Sequence, residues 1–182
     1  MTCIVGIAKE GTVYVGADSA GVDEQWNLVL RADRKVFVRD SMVFGFTSSF
    51  RMGQLLRYSL VVPESSATIS LEDYMSTTFI DAVRSCLKLG GFAEKDKDAE
   101  KGGVFLIGYL GRLFCIQSDY QVAESLDGYY AIGYGANPAL GALYATRDKE
   151  PEERIRIALE AAERFNVGVR GPFHMESVGN GD

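Results

Sequence analysis

The order of the predicted elements favours an α+β fold of four layers, αββα. In this fold two antiparallel sheets pack face to face, and helix pairs cover both outer sides. Short alternating segments come first, two helical patterns follow, and the same order then repeats before a last extended segment. Segregated strands and helices indicate α+β layers rather than alternating βαβ units. With 182 residues and no obvious linker, residues 1–182 are expected to form a single domain.

The first two strands predict a hairpin that brings a hydroxyl close to a carboxylate. Residues 2–8 and 12–17 alternate small and apolar side chains on either side of residues 9–11, with glycine last. A three-residue loop with glycine in this place is a common hairpin connection. This loop would pair Thr2 with Asp18, whose Cβ atoms would then lie about 5 Å apart on one face.

A second hairpin is expected from residues 35–38 and 42–47. With a loop of two or three residues, Lys35 lies opposite Gly45 or Phe46. Lys35 is therefore expected near the end of the second strand.

Two helices follow, at residues 49–60 and 70–89. Ser70 is the expected N-cap of the second helix, and Gly90-Gly91 is its stop. Six residues at helical spacing form a stripe that we interpret as core: Leu71, Met75, Thr78, Phe79, Ala82 and Cys86.

The second half repeats this pattern. Residues 92–103 are polar and predict a mobile loop. A hairpin is expected at residues 104–109 and 112–117, followed by a strand at 129–132 and an extended segment at 173–178 that leads into a polar tail. Asn137 is expected to cap a helix that begins at Pro138 and runs to about residue 146. A further helix opens at Pro151, and its inward-facing residues are predicted to be Ile155, Leu159, Ala162 and Phe165.

Composition excludes several classes of function. The formal net charge is −6 and there is no long basic tract, which argues against nucleic-acid binding. No run reaches the roughly 18 apolar residues of a membrane span, and no signal-peptide core follows Met1. The three cysteines, Cys3, Cys86 and Cys115, lack metal-ligand or redox spacing. We therefore expect a cytoplasmic protein without a metal or other cofactor.

The chain has a single histidine, His174, near its C-terminus. A Ser-His-Asp or Cys-His hydrolase would have to use this residue, and a zinc site with several histidines is impossible. We interpret His174 as an ordinary strand or surface residue. A nucleophile in this chain would need another base.

An N-terminal threonine would supply such a base. At position two, Thr2 can simply permit removal of Met1, but here it is expected beside Asp18 and in the same small sheet as Lys35. Once Met1 is removed, the Thr2 hydroxyl can attack while its own α-amine accepts the proton. The pKa of a free α-amine is about 7.7–8.0, and a neighbouring Lys35 ammonium would lower it, while Asp18 would keep that lysine charged and oriented.

Acyl transfer also needs donors for the developing oxyanion. The strand that ends at Thr47 leads through Ser48 and Ser49 into a helix, where backbone N–H groups are left unpaired. We predict that the Ser48 amide is such a donor. These serines can equally serve only as helix caps, and the two interpretations are compatible.

The residues identified above resemble those of a known family. Residues 2–7, Gly11 and residues 15–19 are similar to the mature start of proteasome β subunits and of the bacterial peptidase HslV. Residues 34–36 resemble the lysine segment of that family, and residues 45–49 stand where its oxyanion loop is expected. Residues 131–135 and 139–142 resemble its later Gly-Ser-Gly motif and the helix after it. The likeness extends from residue 2 to about residue 171.

The resemblance implies an N-terminal-nucleophile hydrolase fold and a threonine peptidase that cleaves unfolded polypeptide. It also implies a homo-oligomeric ring and an ATP-dependent unfoldase as partner. Three departures from the family pattern stand out. Arg34 occupies the usual spacing of the lysine, and we choose Lys35 for its flanking Lys-Val context. In the supporting part of the site, Tyr134 follows Gly133 where the family has serine, and Asn166 falls where the family has an aspartate.

Two alternatives stay open at this point. Because of Tyr134 and Asn166, the chain could be a catalytically weak or inactive ring subunit with a structural role. It could also be an amidase of the same nucleophile class that acts on a small molecule.

Overall fold

The computed structural model describes residues 1–66, 68–92, 94–96 and 99–180 and has four layers. In spatial order the first sheet consists of residues 129–132, 4–9, 12–17 and 174–179, and the second of residues 122–124, 112–116, 105–109, 42–46 and 36–39. Helices within residues 50–89 cover the second sheet, and helices within residues 136–165 cover the first. The predicted αββα arrangement is therefore confirmed.

Three hydrophobic clusters occupy the three interfaces between these layers. One joins the two sheets through residues such as Ile4, Val15 and Leu106. The side chains of the first sheet alternate between this interface and the helical side, so that Ile4 faces the second sheet whereas Val5 faces the helices within residues 136–165. Both sheets are thus buried on two faces.

The first sheet contains β1 (Ile4–Lys9), β2 (Thr12–Ala17), β12 (Tyr129–Ile132) and β13 (His174–Gly179), all antiparallel. The second sheet contains β5 (Val36–Arg39), β6 (Met42–Phe46), β9 (Phe105–Tyr109), β10 (Arg112–Ile116) and β11 (Val122–Glu124). Two further hairpins form small sheets of their own, β3 (Ala20–Val22) with β4 (Leu28–Leu30), and β7 (Glu94–Asp96) with β8 (Ala99–Lys101).

The register predicted for the first hairpin is wrong by one residue. Lys9 pairs with Thr12 across a two-residue turn in which Glu10 and Gly11 have φ values of 51° and 79°. Turns with two positive φ values match the twist of antiparallel strands, which favours them over the three-residue loop. As a consequence, Asp18 lies opposite Cys3 and not Thr2.

The other two main hairpins agree with expectation. Both turn through two residues, at 40–41 and at 110–111. For the hairpin that turns at residues 40–41, loops of two and of three residues were both considered, and the two-residue loop is present. Lys35 therefore lies opposite Phe46, and the Phe46 N–H donates to the Lys35 carbonyl at 3.0 Å.

Helix α1 (Phe50–Tyr58) begins after Ser49, whose side chain accepts hydrogen bonds from two backbone N–H groups of the first turn. The second predicted helix is divided into α2 (Leu71–Tyr74), a π-helical turn (Met75–Phe79) and α3 (Ile80–Leu89). The extra residue of a π turn shifts the buried stripe by one position, so Val83 and Leu87 are fully buried while Ala82 and Cys86 are only partly buried. Thr78, predicted in the core, is exposed.

Helices α4 (Ala136–Ala145) and α5 (Pro151–Phe165) form the opposite outer layer. The predicted cap at Asn137 is wrong, because the helix begins two residues earlier than expected, at Ala136 after Gly135. Of the four inward residues predicted for α5, only Phe165 does not lie in the core; it is 79% exposed at the end of the helix.

The loop predicted at residues 92–103 contains β7 and β8, while residues 93, 97 and 98 lie outside the described part, as do residues 181–182 of the predicted tail. None of the helices in the described ranges has the length and hydropathy that crossing a membrane would require.

Candidate active site

The predicted site residues meet at one end of the two stacked sheets. Thr2 lies just before β1, and Asp18 lies just after β2. Because β1 and β2 are antiparallel partners, the start of β1 lies beside the end of β2. Lys35 precedes β5 and Ser48 follows β6 in the second sheet. Gly133 directly follows β12, the other neighbour of β1. The strand ends thus gather these residues from five segments of the chain.

At the centre of the site is a buried row of three polar side chains. The Lys35 Nζ donates to the Thr2 Oγ1 and to the Asp18 Oδ1, both at 2.8 Å. Thr2 is only 6% exposed, and Asp18 and Lys35 are each 1% exposed. The lysine therefore connects the hydroxyl to the carboxylate, although the two do not lie opposite each other in the sheet.

The carboxylate of Asp18 is held by backbone groups as well. Its Oδ1 accepts from the Cys3 N–H at 3.0 Å, and its Oδ2 accepts from the N–H groups of Ala20 at 2.9 Å and Arg170 at 3.4 Å. Together these three N–H groups fix the position of the buried carboxylate. These donors were not predicted, and that of Arg170 lies 152 residues away in sequence, so no local signal could have identified it.

Two groups in the site have shifted pKa values. Burial lowers the pKa of the Lys35 ammonium, and the Asp18 carboxylate opposes this shift. Burial and then the charge of Lys35 lower the pKa of the N-terminal ammonium, here on Met1. A positive neighbour and a desolvated surrounding both favour the neutral, proton-accepting form of an amine.

Arg34 does not take part in this group. Its guanidinium approaches Glu176 at 3.4 Å on the surface, and 53% of its side chain is exposed. Of the two basic residues considered for the site, the structure brings Lys35 against Thr2.

Ser48 lies in the left-handed region with φ of 68°, and it lines the same cleft as Thr2. Its hydroxyl accepts from the Val104 N–H at 3.1 Å. No residue in the described ranges accepts a hydrogen bond from the Ser48 N–H. The predicted role of this amide as an oxyanion donor stays a prediction.

Gly133 packs closely against the backbone carbonyl of Thr2. Its φ is +90°, and a Cβ at this position would lie 2.3 Å from the Thr2 carbonyl oxygen. The Gly135 N–H donates to the same oxygen at 3.2 Å. Only glycine fits here without displacement of the backbone that carries Thr2.

We expect Gly133→Ala to lower the free energy of unfolding by about 2–5 kcal/mol, from unfavourable φ and the close contact together. Gly141→Ala is the matched control, because nothing lies within 4 Å of that added Cβ in α4. Alanine should there be neutral or stabilising by up to about 1 kcal/mol. Urea denaturation measures both, and equal midpoints for the two variants would contradict the prediction.

Tyr134 and Asn166, which depart from the family pattern, lie at the edge of the site. The Tyr134 side chain is 71% exposed and lines the cleft. The Asn166 Nδ2 donates to the Tyr134 carbonyl at 3.2 Å, while its Oδ1 accepts from the Gly168 N–H at 3.0 Å. A carboxylate could not donate to that carbonyl, so an amide suits this position.

The cleft in front of Thr2 has a volume of about 730 Å³. Lys35 is the one charged side chain among the described residues that line it. Its walls otherwise combine apolar side chains with neutral polar ones, including Val22, Phe46, Phe50, Val104, Gln117 and Ile132. A volume in this range fits a short stretch of peptide or a small molecule.

Comparison with solved structures shows the same fold elsewhere. BPH of Thiobacillus denitrificans in complex with epoxomicin has a TM-score of 0.80 and 19% identity over 100% of both chains. Eukaryotic HslV from Trypanosoma brucei has a TM-score of 0.68 and 19% identity over 98% of this chain and 99% of its own. Anbu (ancestral beta-subunit) from Yersinia bercovieri has a TM-score of 0.65 and 15% identity over 98% of this chain and 82% of its own.

No protein-family model matches the sequence, and no curated protein matches it either. The structural likeness extends over the whole chain at low sequence identity. It confirms the resemblance at the level of the fold: the chain has the fold of HslV and the proteasome β subunits.

Proposed function

We propose that this chain is a threonine-type peptidase that cleaves unfolded polypeptide inside a ring-shaped assembly of its own copies, with Thr2 as nucleophile after removal of Met1. One observation carries this proposal: the buried contacts of Lys35 Nζ with the Thr2 hydroxyl and with the Asp18 carboxylate, each 2.8 Å long. The fold supports it, since HslV and BPH share it. Delivery of substrate by an ATP-dependent unfoldase remains a prediction.

In the proposed reaction the Thr2 Oγ attacks the carbonyl carbon of the substrate peptide bond and passes its proton to the free α-amine of Thr2. The oxyanion that forms accepts a hydrogen bond from the Ser48 N–H. The α-ammonium then gives the proton to the leaving amine, which departs with the C-terminal part of the substrate. The resulting ester is hydrolysed by water, with the same α-amine as base.

Lys35 and Asp18 tune this base and hold it in place. The positive charge of Lys35 lowers the pKa of the α-amine, which increases the neutral fraction near pH 7. Asp18 compensates the buried lysine charge. No histidine is required, and His174 lies in β13, outside this group of residues.

Peptide hydrolysis together with covalent labelling tests the proposal. Protein that begins at Thr2 should cleave a fluorogenic peptide, and epoxomicin, the ligand of the similar BPH structure, should abolish this activity. Mass spectrometry of the N-terminal fragment should place the adduct on Thr2. A well-folded ring that neither cleaves nor is labelled would support the alternative, an inactive subunit with a structural role.

Replacement of the tuning residue gives a more specific test. We expect Lys35→Ala to lower kcat/KM by about 10²–10⁴, the usual range for loss of acid–base assistance. Arg34→Ala is the matched control and should have nearly full activity, because Arg34 is directed to the surface. Thermal unfolding should accompany both assays, because removal of Lys35 leaves Asp18 buried with its backbone donors alone. Greater loss in Arg34→Ala would show that the wrong residue was chosen.

A further inference from the structure

The β3–β4 hairpin carries four exposed apolar side chains, Trp26, Leu28, Val29 and Leu30, which we call the hairpin surface. Their exposed fractions are 70%, 43%, 62% and 55%. Single exposed apolar residues are normal, whereas a contiguous group marks a site of interaction. A group of this size presents on the order of a few hundred Å² of apolar area.

The hairpin surface is apolar on both faces. Leu28, Val29 and Leu30 are consecutive in a strand, so their side chains alternate between the two faces. Across the strand pair, Leu30 and Val29 lie opposite Ala20 and Gly21, which are too small to cover them. Neither face is therefore protected by the hairpin itself.

The edge of the hairpin is open as well. The sheet has two strands, and no strand in the described ranges pairs with the outer edge of β4. An isolated two-stranded hairpin is only marginally stable in water. Such a hairpin gains stability when another element covers it.

The base of the hairpin is fixed in position. The Arg31 N–H donates to the Ser19 carbonyl at 2.9 Å. The Arg31 guanidinium lies 3.8 Å from the centre of the Phe50 ring and also binds Asp33 at 2.7 Å. The hairpin surface is thus presented in one orientation, which lowers the entropic cost of docking.

We propose that the hairpin surface docks against a second copy of this chain. The hairpin also borders the cleft through Val22, so a copy bound to the hairpin lies at the rim of the candidate site. This inference rests on the ring-shaped assembly proposed above, to which such a contact belongs. Soluble assemblies are mostly formed from identical chains. The acidic Asp23 and Glu24 beside Trp26 disfavour an anionic lipid surface as the alternative occupant.

The size of the hairpin surface suits the centre of such an interface. A stable interface buries about 800 Å² on each partner, with an apolar, often aromatic centre and a polar rim. The hairpin surface supplies a substantial part of that area, with Trp26 as its aromatic anchor. The polar residues Asp23, Glu24 and Gln25 provide one side of the rim.

A charge placed in the hairpin surface tests the proposal. Light scattering at micromolar concentration should give a mass several times that of the 19.9 kDa chain for wild type, and about that of one chain for Val29→Glu. Leu89→Glu is the matched control, since Leu89 is 90% exposed on α3, outside the hairpin. It should assemble like wild type. A monomeric wild type, or a Val29→Glu variant of wild-type mass, would overturn the inference.

Trp26 provides a second readout, because it is the chain's single tryptophan. In assembled wild type and in Leu89→Glu its emission should be blue-shifted and protected from acrylamide, whereas in Val29→Glu it should be red-shifted and readily quenched. Equal quenching in wild type and Val29→Glu would also overturn the inference. Circular dichroism confirms that each variant is folded.

The two proposals can fail separately. If wild type assembles through the hairpin but neither cleaves peptide nor binds epoxomicin, the proposed peptidase fails while the docking surface stands. If wild type cleaves peptide and Val29→Glu has the same mass as wild type, the docking surface fails while the peptidase stands.

Discussion

Thr2→Ala is expected to abolish peptide hydrolysis while the fold and assembly persist. The substitution removes the hydroxyl that attacks the substrate and leaves a methyl group in its place. Loss of the nucleophile in a comparable hydrolase costs on the order of 10⁶ in kcat, so the activity should fall below detection. The lost contact of Thr2 Oγ1 with the Lys35 ammonium is worth about 1.5–3 kcal/mol and that with the Met1 carbonyl about 1 kcal/mol, which a folded domain tolerates.

Thr2→Ser is the matched control for this experiment. It retains a hydroxyl and an α-amine after Met1 removal and should retain measurable activity. Both variants should have the oligomeric mass of wild type, and the thermal midpoint of Thr2→Ala should fall by only several degrees, in keeping with the two lost hydrogen bonds. Full hydrolysis by Thr2→Ala, free of contaminating protease, would rule out Thr2 as nucleophile.

Retention of Met1 should leave the protein inert, an effect as large as loss of the nucleophile. With Met1 attached, the Thr2 nitrogen belongs to an amide and cannot accept a proton near neutral pH. The structure adds two obstacles. The Thr2 hydroxyl donates to the Met1 carbonyl at 2.6 Å, and Met1 itself lines the cleft, where its side chain contacts Gly168.

Stepwise removal of Met1 by a methionine aminopeptidase tests this expected loss of activity quantitatively. Starting from protein with Met1, peptidase activity should rise in proportion to the fraction that intact-mass measurement shows to begin at Thr2. Thr2→Ala, processed in parallel, should lose Met1 and gain no activity. Equal rates before and after processing would mean that the free α-amine is not the base.

The sequence predicted the proximity of Thr2, Asp18 and Lys35 better than it predicted the register of the first hairpin. The neighbourhood of Thr2 and Asp18 was inferred from a three-residue loop, yet a two-residue turn places Cys3 opposite Asp18. The prediction of a close group survived because Lys35 is long enough to connect the two side chains. A register shift of one residue changes which side chains pair across two strands, but the same strand ends still lie side by side at one edge of the sheet.

Other features could not be read from local patterns. The hairpins that turn at residues 40–41 and 110–111, and the cap at Ser70, depend on a few neighbouring residues and were predicted correctly. The π turn that moved the buried stripe, by contrast, has no distinctive composition. The β3–β4 hairpin was not predicted, since each strand is only three residues long and β4 is exposed. Tertiary packing determines such elements.

The hydrogen bond from the Arg170 N–H to Asp18 links the candidate site to the completion of folding. During synthesis, Thr2, Asp18 and Lys35 leave the ribosome long before residue 170. The last strand, β13, pairs with β2, the strand that leads into Asp18. Contacts of such long sequence separation form late, since a large loop must close first. Asp18 therefore acquires all of its backbone donors only after residue 170 has been made, and a shorter nascent chain lacks the N–H group that Arg170 contributes to the carboxylate.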